Sequence, residues 1–454
     1  MSHRLRAIAV ALTFGMSVAM TSPAAAGPAR PAAGVRAYLV ITAPDDTSGA
    51  QSAVSANGGS VFASYDAIGV VVAHSSAPDF AAKMRPTPGV QKVGASRTSD
   101  VPAEAANPAI PPAPQQSPST EAEAPGQDMV QIGADKAWAI STGSADVLVG
   151  VLDNGVDDQH HELKANFDAA KSVSCAYGRV DARPGAWRPI GDHGTHVAGT
   201  IAAAKNGAGM IGVAPGVKIA SVRVAEPGTQ LLFPENTVCA FMHAAENGFD
   251  ITNNSYWTDP WWANCPNDPD QAAILEAVTR AADYATGKGV LNVVAVGNEN
   301  TDLDAKSTDT MSPDDSTPVQ RPVTPDCRVV PGELDSSVAV ASITSGDTKA
   351  SYSNISTRIV VAAPGNAVYS TVAGGGYAQN SGTSMASPHV AGVAALLKSV
   401  DPAATPADLR ARLGAQADDL PCGGDSRCKG TAAKNNFYGD GRVDALAAVQ
   451  TQTG

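Results

Sequence analysis

The sequence predicts an α/β fold in which a parallel sheet lies between two layers of helices. Continuous apolar runs at 147–152 and 290–296 are rich in Val and Leu. Such runs are typical of strands that are buried on both faces of a parallel sheet. Strand patterns at 217–224 and 250–254 alternate with helical patterns along the chain. That alternation indicates a sheet covered by helices on both sides.

Helical patterns supply the two covering layers of this predicted fold. They lie at 193–204, 237–247, 271–286 and 391–400. The last pattern follows Gly382-Thr383-Ser384, a bend that is expected to place the serine at a helix N-terminus. Backbone N–H groups point outwards at such a position, which suits a nucleophile that must stabilise a nearby negative charge.

A separate unit is predicted at 36–99. Strand patterns at 38–41, 61–63, 68–73 and 90–93 alternate with helical patterns at 48–56 and 78–84. The resulting β-α-β-β-α-β order predicts a small ferredoxin-like α+β sandwich. The segment at 100–127 is rich in Pro, Ala, Ser and Glu, and this composition predicts a disordered linker that proteases can cleave.

The first residues indicate export from the cell. Arg4 and Arg6 precede an apolar stretch at 7–20, and small residues at 24–26 resemble a signal-peptidase site. We therefore expect a signal peptide at 1–26, a secreted protein and no membrane anchor. The formal net charge of −13 gives no basic footprint for nucleic acid, so nucleic acid is not an expected partner.

Six cysteines agree with an oxidising compartment. Cys422 and Cys428 flank a short Gly-rich loop, and we expect them to pair. The other four, Cys175, Cys239, Cys265 and Cys327, allow three pairings. We favour Cys265–Cys327, because both lie in polar, Pro-rich segments beside the strand at 290–296, and this choice leaves Cys175–Cys239.

Polar residues lie at the ends of the predicted strands and at the starts of two predicted helices, where a cleft is expected. Asp153 ends the strand at 147–152, and Asn298 follows the strand at 290–296. His193 and Ser384 each begin a helical pattern. Open α/β sheets place their chemistry at the carboxyl ends of the strands, so these four side chains are candidates for one site.

The blocks around these residues resemble the subtilisin-like serine proteases, or subtilases. Asp153-Asn154-Gly155, the block His193-Gly194-Thr195-His196-Val197-Ala198-Gly199 and the block Gly382-Thr383-Ser384-Met385-Ala386-Ser387-Pro388-His389 match in the family's order. The resemblance runs from about residue 131 to 449, so we expect a subtilisin-like catalytic domain at 128–454.

The resemblance implies a serine protease mechanism. Ser384 would be the nucleophile, His193 the general base, and Asp153 the group that orients the imidazole. Asn298 would donate to the oxyanion. The unit at 36–99 resembles the family's propeptide, which assists folding and blocks the active site until it is cleaved. No cofactor is implied for catalysis.

The substrate-binding edge departs from the family's pattern. The usual Ser-Leu-Gly is replaced by Ser255-Tyr256-Trp257, and Gly297 beside Asn298 is assigned to substrate binding with them. Asn154 stands where the family usually has Ser or Thr. Its side chain can still hydrogen-bond the Asp153 carboxylate, so we expect activity to survive this change.

A calcium site is a further implication of the resemblance. The loop at 204–210 resembles the family's calcium loop, with Asn206 at its side-chain ligand position. The family's carboxylate ligand appears as Glu162 instead of Asp. Oxygen ligands of this kind suit a structural Ca²⁺.

The leading hypothesis is a monomeric, secreted serine endopeptidase that acts on peptides and proteins and is processed from its own precursor. A dedicated processing protease for one precursor or leader peptide is the alternative, favoured by Tyr256 and Trp257. A pseudoprotease that serves as a binding scaffold is disfavoured, because every catalytic residue is present.

Overall fold

A computed structural model describes residues 34–118 and 121–450. The predicted signal peptide lies outside these residues. Within them, no helix has both the length and the apolar character that crossing a membrane requires.

The N-terminal sandwich, residues 36–95, follows the predicted β-α-β-β-α-β order. Its four strands form one antiparallel sheet in the order β2-β3-β1-β4. The elements are β1 (Arg36–Ile41), α1 (Ser48–Ala56), β2 (Gly59–Tyr65), β3 (Val70–Ser75), α2 (Phe80–Met84) and β4 (Lys92–Ala95).

The main domain, residues 127–449, alternates strands and helices, as predicted. Its helices are α3 (Gln127–Gln131), α4 (Ala134–Ala137), α5 (His193–Ala202), α6 (Pro234–Glu246), α7 (Pro269–Gly287), α8 (Thr383–Val400), α9 (Pro406–Ala415) and α10 (Ala445–Val449). Its strands are β5 (Leu148–Asp153), β6 (Val173–Ser174), β7 (Lys218–Arg223), β8 (Ile251–Asn254), β9 (Leu291–Ala295), β10 (Thr308–Asp309), β11 (Arg321–Pro322), β12 (Ser337–Ile343), β13 (Ile359–Pro364), β14 (Val368–Val372) and β15 (Gly376–Asn380).

Seven strands form the central sheet, in the order β13-β12-β9-β8-β5-β7-β6, and every pairing in it is parallel. Alternate side chains of β5 point to opposite faces. Val149 and Val151 pack with α5 and α8, whereas Leu148 and Leu152 pack with α6 and α7. The predicted fold of a parallel sheet between two helical layers is therefore confirmed.

The N-terminal sandwich packs on α6 and α7. The outer face of its sheet, with Leu39, Ile41 and Val72, shares one apolar cluster with Phe241 of α6 and Ile274 of α7. The other face of the sheet is covered by α1 and α2. The outer face is buried only while the sandwich stays on the main domain, whereas the sandwich's own helices cover the other face.

The Pro-rich segment at 100–118 contains a short 3₁₀ helix at Ala103–Ala106 and makes defined contacts, in contrast to the disordered linker that its composition predicts. Arg179 donates to the carbonyl of Ala106 at 2.9 Å, and Arg183 donates to that of Pro108 at 2.7 Å. Further along, Gln116 donates to Asp157 at 2.8 Å. Composition favoured disorder because it does not reveal donors that lie elsewhere in the chain.

Three disulfides join Cys175–Cys239, Cys265–Cys327 and Cys422–Cys428. These are the pairings favoured from the sequence. The first links the residue after β6 to α6, and the second links the segment before α7 to the segment before β12.

Candidate active site

The polar residues singled out from the sequence meet at the carboxyl edge of the central sheet. Strand β8 lies between β5 and β9, and Leu152 of β5 is paired with Asn254 of β8. Asp153 and Ser255, each the next residue along its chain segment, therefore lie side by side. Asn298 follows the neighbouring strand β9 at the same edge.

Asp153 and His193 form the first part of the site. The Nδ1 atom of His193 lies 2.9 Å from both carboxylate oxygens of Asp153. The Asp153 side chain is 5% exposed and that of His193 is 36% exposed. Burial alone would lower the pKa of His193, but the charge and hydrogen bond of Asp153 outweigh burial and raise it.

Asn154 contacts Asp153 through its backbone, whereas the expectation was a contact through its side chain. Its backbone N–H donates to Asp153 at 2.7 Å, while its side-chain oxygen accepts the N–H of Gly194 at 2.9 Å. The expected side-chain bond to the carboxylate is therefore wrong. Gly194 belongs to the first turn of α5, whose N–H groups lack partners within the helix, so this bond holds His193 beside Asp153.

Ser384 is the second residue of α8, so its backbone N–H has no partner within the helix. Its hydroxyl donates to the carbonyl of Ser255 at 3.2 Å. In return, the hydroxyl of Ser255 donates to the carbonyl of Ser384 at 2.9 Å. Two reciprocal bonds therefore join the start of α8 to the end of β8.

Pro388 explains why the carbonyl of Ser384 can accept the bond from the Ser255 hydroxyl. It lies in the second turn of α8. A helical carbonyl normally accepts the N–H four residues later, and proline has none. The carbonyl of Ser384 is thus free to accept the Ser255 hydroxyl.

Asn298 is oriented by Thr383, which sequence reasoning did not single out. The N–H and the hydroxyl of Thr383 lie 2.8 Å and 2.9 Å from Asn298 Oδ1. A backbone N–H can only donate, so the oxygen of the amide must face Thr383. The Nδ2 amide is left for the cleft. The position of Thr383 directly before Ser384 was the sequence signal that could have identified this role.

A cleft of about 300 Å³ contains both Ser384 and Asn298. It is lined by Ser384, Asn298 and all four residues assigned to substrate binding, namely Ser255, Tyr256, Trp257 and Gly297. Gly297 has a φ of +105°, and a side chain there would lie 2.5 Å from Asn354. A residue other than glycine at position 297 would therefore disturb the backbone that positions Asn298.

Asn206 and Glu162 also meet, but their arrangement does not fit a calcium ion. The side-chain N–H of Asn206 donates to Glu162 at 2.8 Å, and Tyr377 and the N–H of Met210 donate to it at 2.5 Å and 3.3 Å. Ca²⁺ takes six to eight oxygen ligands, whereas these donors already use the carboxylate. No metal-like cluster of three or more His, Cys, Asp or Glu side chains occurs within 34–118 and 121–450.

A chelator should therefore leave the thermal stability of the protein unchanged. We expect a change in Tm below about 1 °C when EDTA is added, because the Glu162 carboxylate is stabilised by hydrogen bonds instead of by a cation. Differential scanning calorimetry with EDTA, and then with excess CaCl₂, measures this. A fall of several degrees that Ca²⁺ alone restores would contradict it.

Comparison with known proteins matches most of the chain to one family. Residues 144–441 match the model of the subtilase family. The chain is 32% identical over 319 residues to subtilisin DY of Bacillus licheniformis, covering 70% of this chain and 96% of that protein. It is 31% identical over 309 residues to subtilisin E of Bacillus subtilis (strain 168), covering 68% of this chain and 67% of that protein.

A solved structure shares the fold. Fervidolysin from Fervidobacterium pennivorans, described as a keratinolytic enzyme related to subtilisin, superposes with a TM-score of 0.67 at 23% identity. The match covers 92% of this chain and 61% of fervidolysin.

Proposed function

The chain belongs to the subtilase family of serine endopeptidases, and on that premise we propose that it cleaves proteins outside the cell after removal of its own N-terminal sandwich. The observation that carries the proposal is the meeting of Ser384, Asn298, Asp153 and His193 at one edge of the sheet. Peptides and proteins are its substrates.

In the proposed reaction, the Ser384 hydroxyl leaves its bond to Ser255 and attacks the scissile carbonyl. His193 takes the hydroxyl proton and then gives it to the departing amine, and water later releases the acyl group by the reverse steps. The hydrogen bond from Nδ1 to Asp153 leaves Nε2 as the proton acceptor. The raised pKa of His193 means that the imidazolium formed during the reaction is stabilised.

Negative charge that develops on the carbonyl oxygen needs donors that are already in place. The Nδ2 amide of Asn298 and the backbone N–H of Ser384 are proposed as these donors. Thr383 supports this role, because it fixes the amide without using its N–H groups. No reorganisation of Asn298 is then required during the reaction.

The N-terminal sandwich is proposed as an intramolecular inhibitor and folding aid. Its support is the apolar sheet face buried on α6 and α7, together with bonds such as Lys92–Glu276 at 2.7 Å. Once cleaved and displaced, the sandwich would expose that face and lose stability. Three disulfides support secretion, because they persist in oxidising compartments.

Casein hydrolysis together with active-site labelling tests the proposal. We expect the purified protein to degrade casein and to lose this activity when a fluorophosphonate modifies one residue. Peptide mapping by mass spectrometry should place the label on Ser384. A label elsewhere, or no hydrolysis by a fully processed sample, would contradict the proposal and favour a binding scaffold.

The pH profile tests the role of His193. The imidazole must be neutral to accept a proton, and its raised pKa keeps it protonated to a higher pH than usual. Activity should therefore fall on acidification with a midpoint above about 6.5, the ordinary histidine value. The measurement is kcat/KM against pH with a non-ionising peptide, since it reports the free enzyme. A midpoint at or below about 6.5 would contradict it.

A dedicated processing protease is the second candidate. Tyr256 and Trp257 line the cleft, where bulky side chains restrict the sequences that fit. A peptide library distinguishes the two functions: many cleaved sequences favour the general endopeptidase, and one narrow class favours the processing enzyme.

A further inference from the structure

An arginine of the N-terminal segment is buried between two glutamates of the catalytic domain. The Nη1 and Nη2 atoms of Arg97 lie 3.1 Å and 2.6 Å from the two carboxylate oxygens of Glu226. Its Nε lies 3.0 Å from Glu235 Oε1, which Nη2 also contacts. All three side chains are 2% exposed or less.

The walls of this pocket match a guanidinium group and belong to the catalytic domain. Glu226 accepts both ends of the planar group, and the ring of Phe233 lies 3.7 Å from the guanidinium carbon. Asn236 holds Glu226 by donating to it at 3.2 Å. Paired acceptors and an aromatic face recognise arginine rather than lysine, whose ammonium is a single point charge.

Two observations show that the pocket holds more acceptors than Arg97 uses. Two carboxylates surround one guanidinium, so their formal charges are not balanced by it. Within the described residues, Glu235 Oε2 and the hydroxyl of Tyr177 are buried and have no hydrogen-bond partner. Buried polar atoms are nearly always paired, so these atoms point to a binding site rather than to a finished core.

The pocket adjoins the candidate active site. The N–H of Glu226 donates to the carbonyl of Leu231 at 2.9 Å. Leu231 and Leu232 line the same cleft as Ser384. A peptide lying in the cleft could therefore place one side chain in the pocket while its backbone passes Ser384.

We propose that Glu226, Glu235 and Phe233 form an arginine-binding subsite, which Arg97 occupies in the precursor and an arginine of the protein substrate occupies afterwards. The inference rests on the proposed protease function. When Arg97 leaves with the N-terminal sandwich, two carboxylates remain without their cation, and a buried unpaired charge is costly. A substrate arginine removes that cost, so it increases kcat/KM at one fixed distance from the scissile bond.

A peptide scan on the processed wild-type enzyme tests this subsite. Arginine, citrulline, lysine and leucine are placed in turn at each position of one fluorogenic peptide. Citrulline matches arginine in shape but carries no charge. We expect at least about a tenfold higher kcat/KM for arginine than for citrulline at one position, with lysine between them.

Variants assign any preference to the pocket. Glu235→Gln should bring the arginine-to-citrulline ratio close to one. Glu246→Gln is the matched control, because Glu246 lies on the same helix and is exposed. If Glu235→Gln does not mature, Phe233→Leu keeps both carboxylates and should still reduce the preference.

The outcomes separate this inference from the proposed function. A ratio below about twofold at every position, with the arginine-free peptide cleaved, would overturn the subsite and leave Arg97 as an anchor of the sandwich. A preference that survives in Glu235→Gln and Phe233→Leu would overturn it as well. If no peptide and no casein is cleaved, the protease function itself fails.

Discussion

Ser384→Ala in the full chain should abolish both maturation and proteolysis. Without the hydroxyl no acyl-enzyme can form, and kcat should fall on the order of 10⁶-fold, a magnitude known from subtilisin, a relative of this protein. The sandwich should then stay covalently attached. Intact-mass spectrometry and a casein assay measure the two effects.

The fold of this variant should be preserved, because alanine keeps the helix and the carbonyl that accepts the Ser255 bond. Ser399→Ala is the matched control. It lies near the end of the same helix and is expected to mature and to cleave casein normally. Processed, active Ser384→Ala protein would refute the assignment of the nucleophile.

Asn298→Leu should lower kcat by about 10²–10³-fold, the effect known for the oxyanion donor of subtilisin. The substituted side chain has a similar size but lacks the Nδ2 donor. Because this donor acts on charge that develops in the transition state, KM should change little. Steady-state kinetics with a fluorogenic peptide measure both constants.

Thr383→Ser serves as the control for Asn298, since it keeps both the N–H and the hydroxyl that hold the amide. It should retain most of the wild-type kcat. If Asn298→Leu instead raises KM and leaves kcat unchanged, Asn298 contributes to substrate binding and the proposed oxyanion role is incorrect.

The sheet and the edge that carries the candidate site were predictable because their signals are local. The apolar runs of β5 and β9 indicate buried strands, and Asp153 and Asn298 come at or just after the ends of these runs. Carboxyl ends of parallel strands share one edge, so the meeting of these residues followed from the predicted topology. The ferredoxin-like order at 36–99 was likewise readable from alternating patterns.

Sequence patterns gave wrong expectations where the hydrogen-bond partner of a side chain lies far along the chain. Asn154 was expected to bond Asp153 through its side chain, yet that side chain caps the start of α5. Asn206 and Glu162 were read as calcium ligands, whereas the amide of Asn206 donates to the carboxylate. In both cases residue type was informative, but the orientation of the amide depends on neighbours that only folding supplies.

By itself, the sequence determined the fold class and the order of the candidate catalytic residues, because periodicity and motif order are local properties of the chain. It favoured the observed cysteine pairs but left three pairings open for four of the six cysteines. The tertiary structure alone decided that Ser255 bonds the carbonyl left free by Pro388 and that Arg97 lies between Glu226 and Glu235. These contacts join residues 129 and 138 positions apart. Burial creates them, since a carbonyl or a charge removed from water must find its partner wherever the fold has placed one.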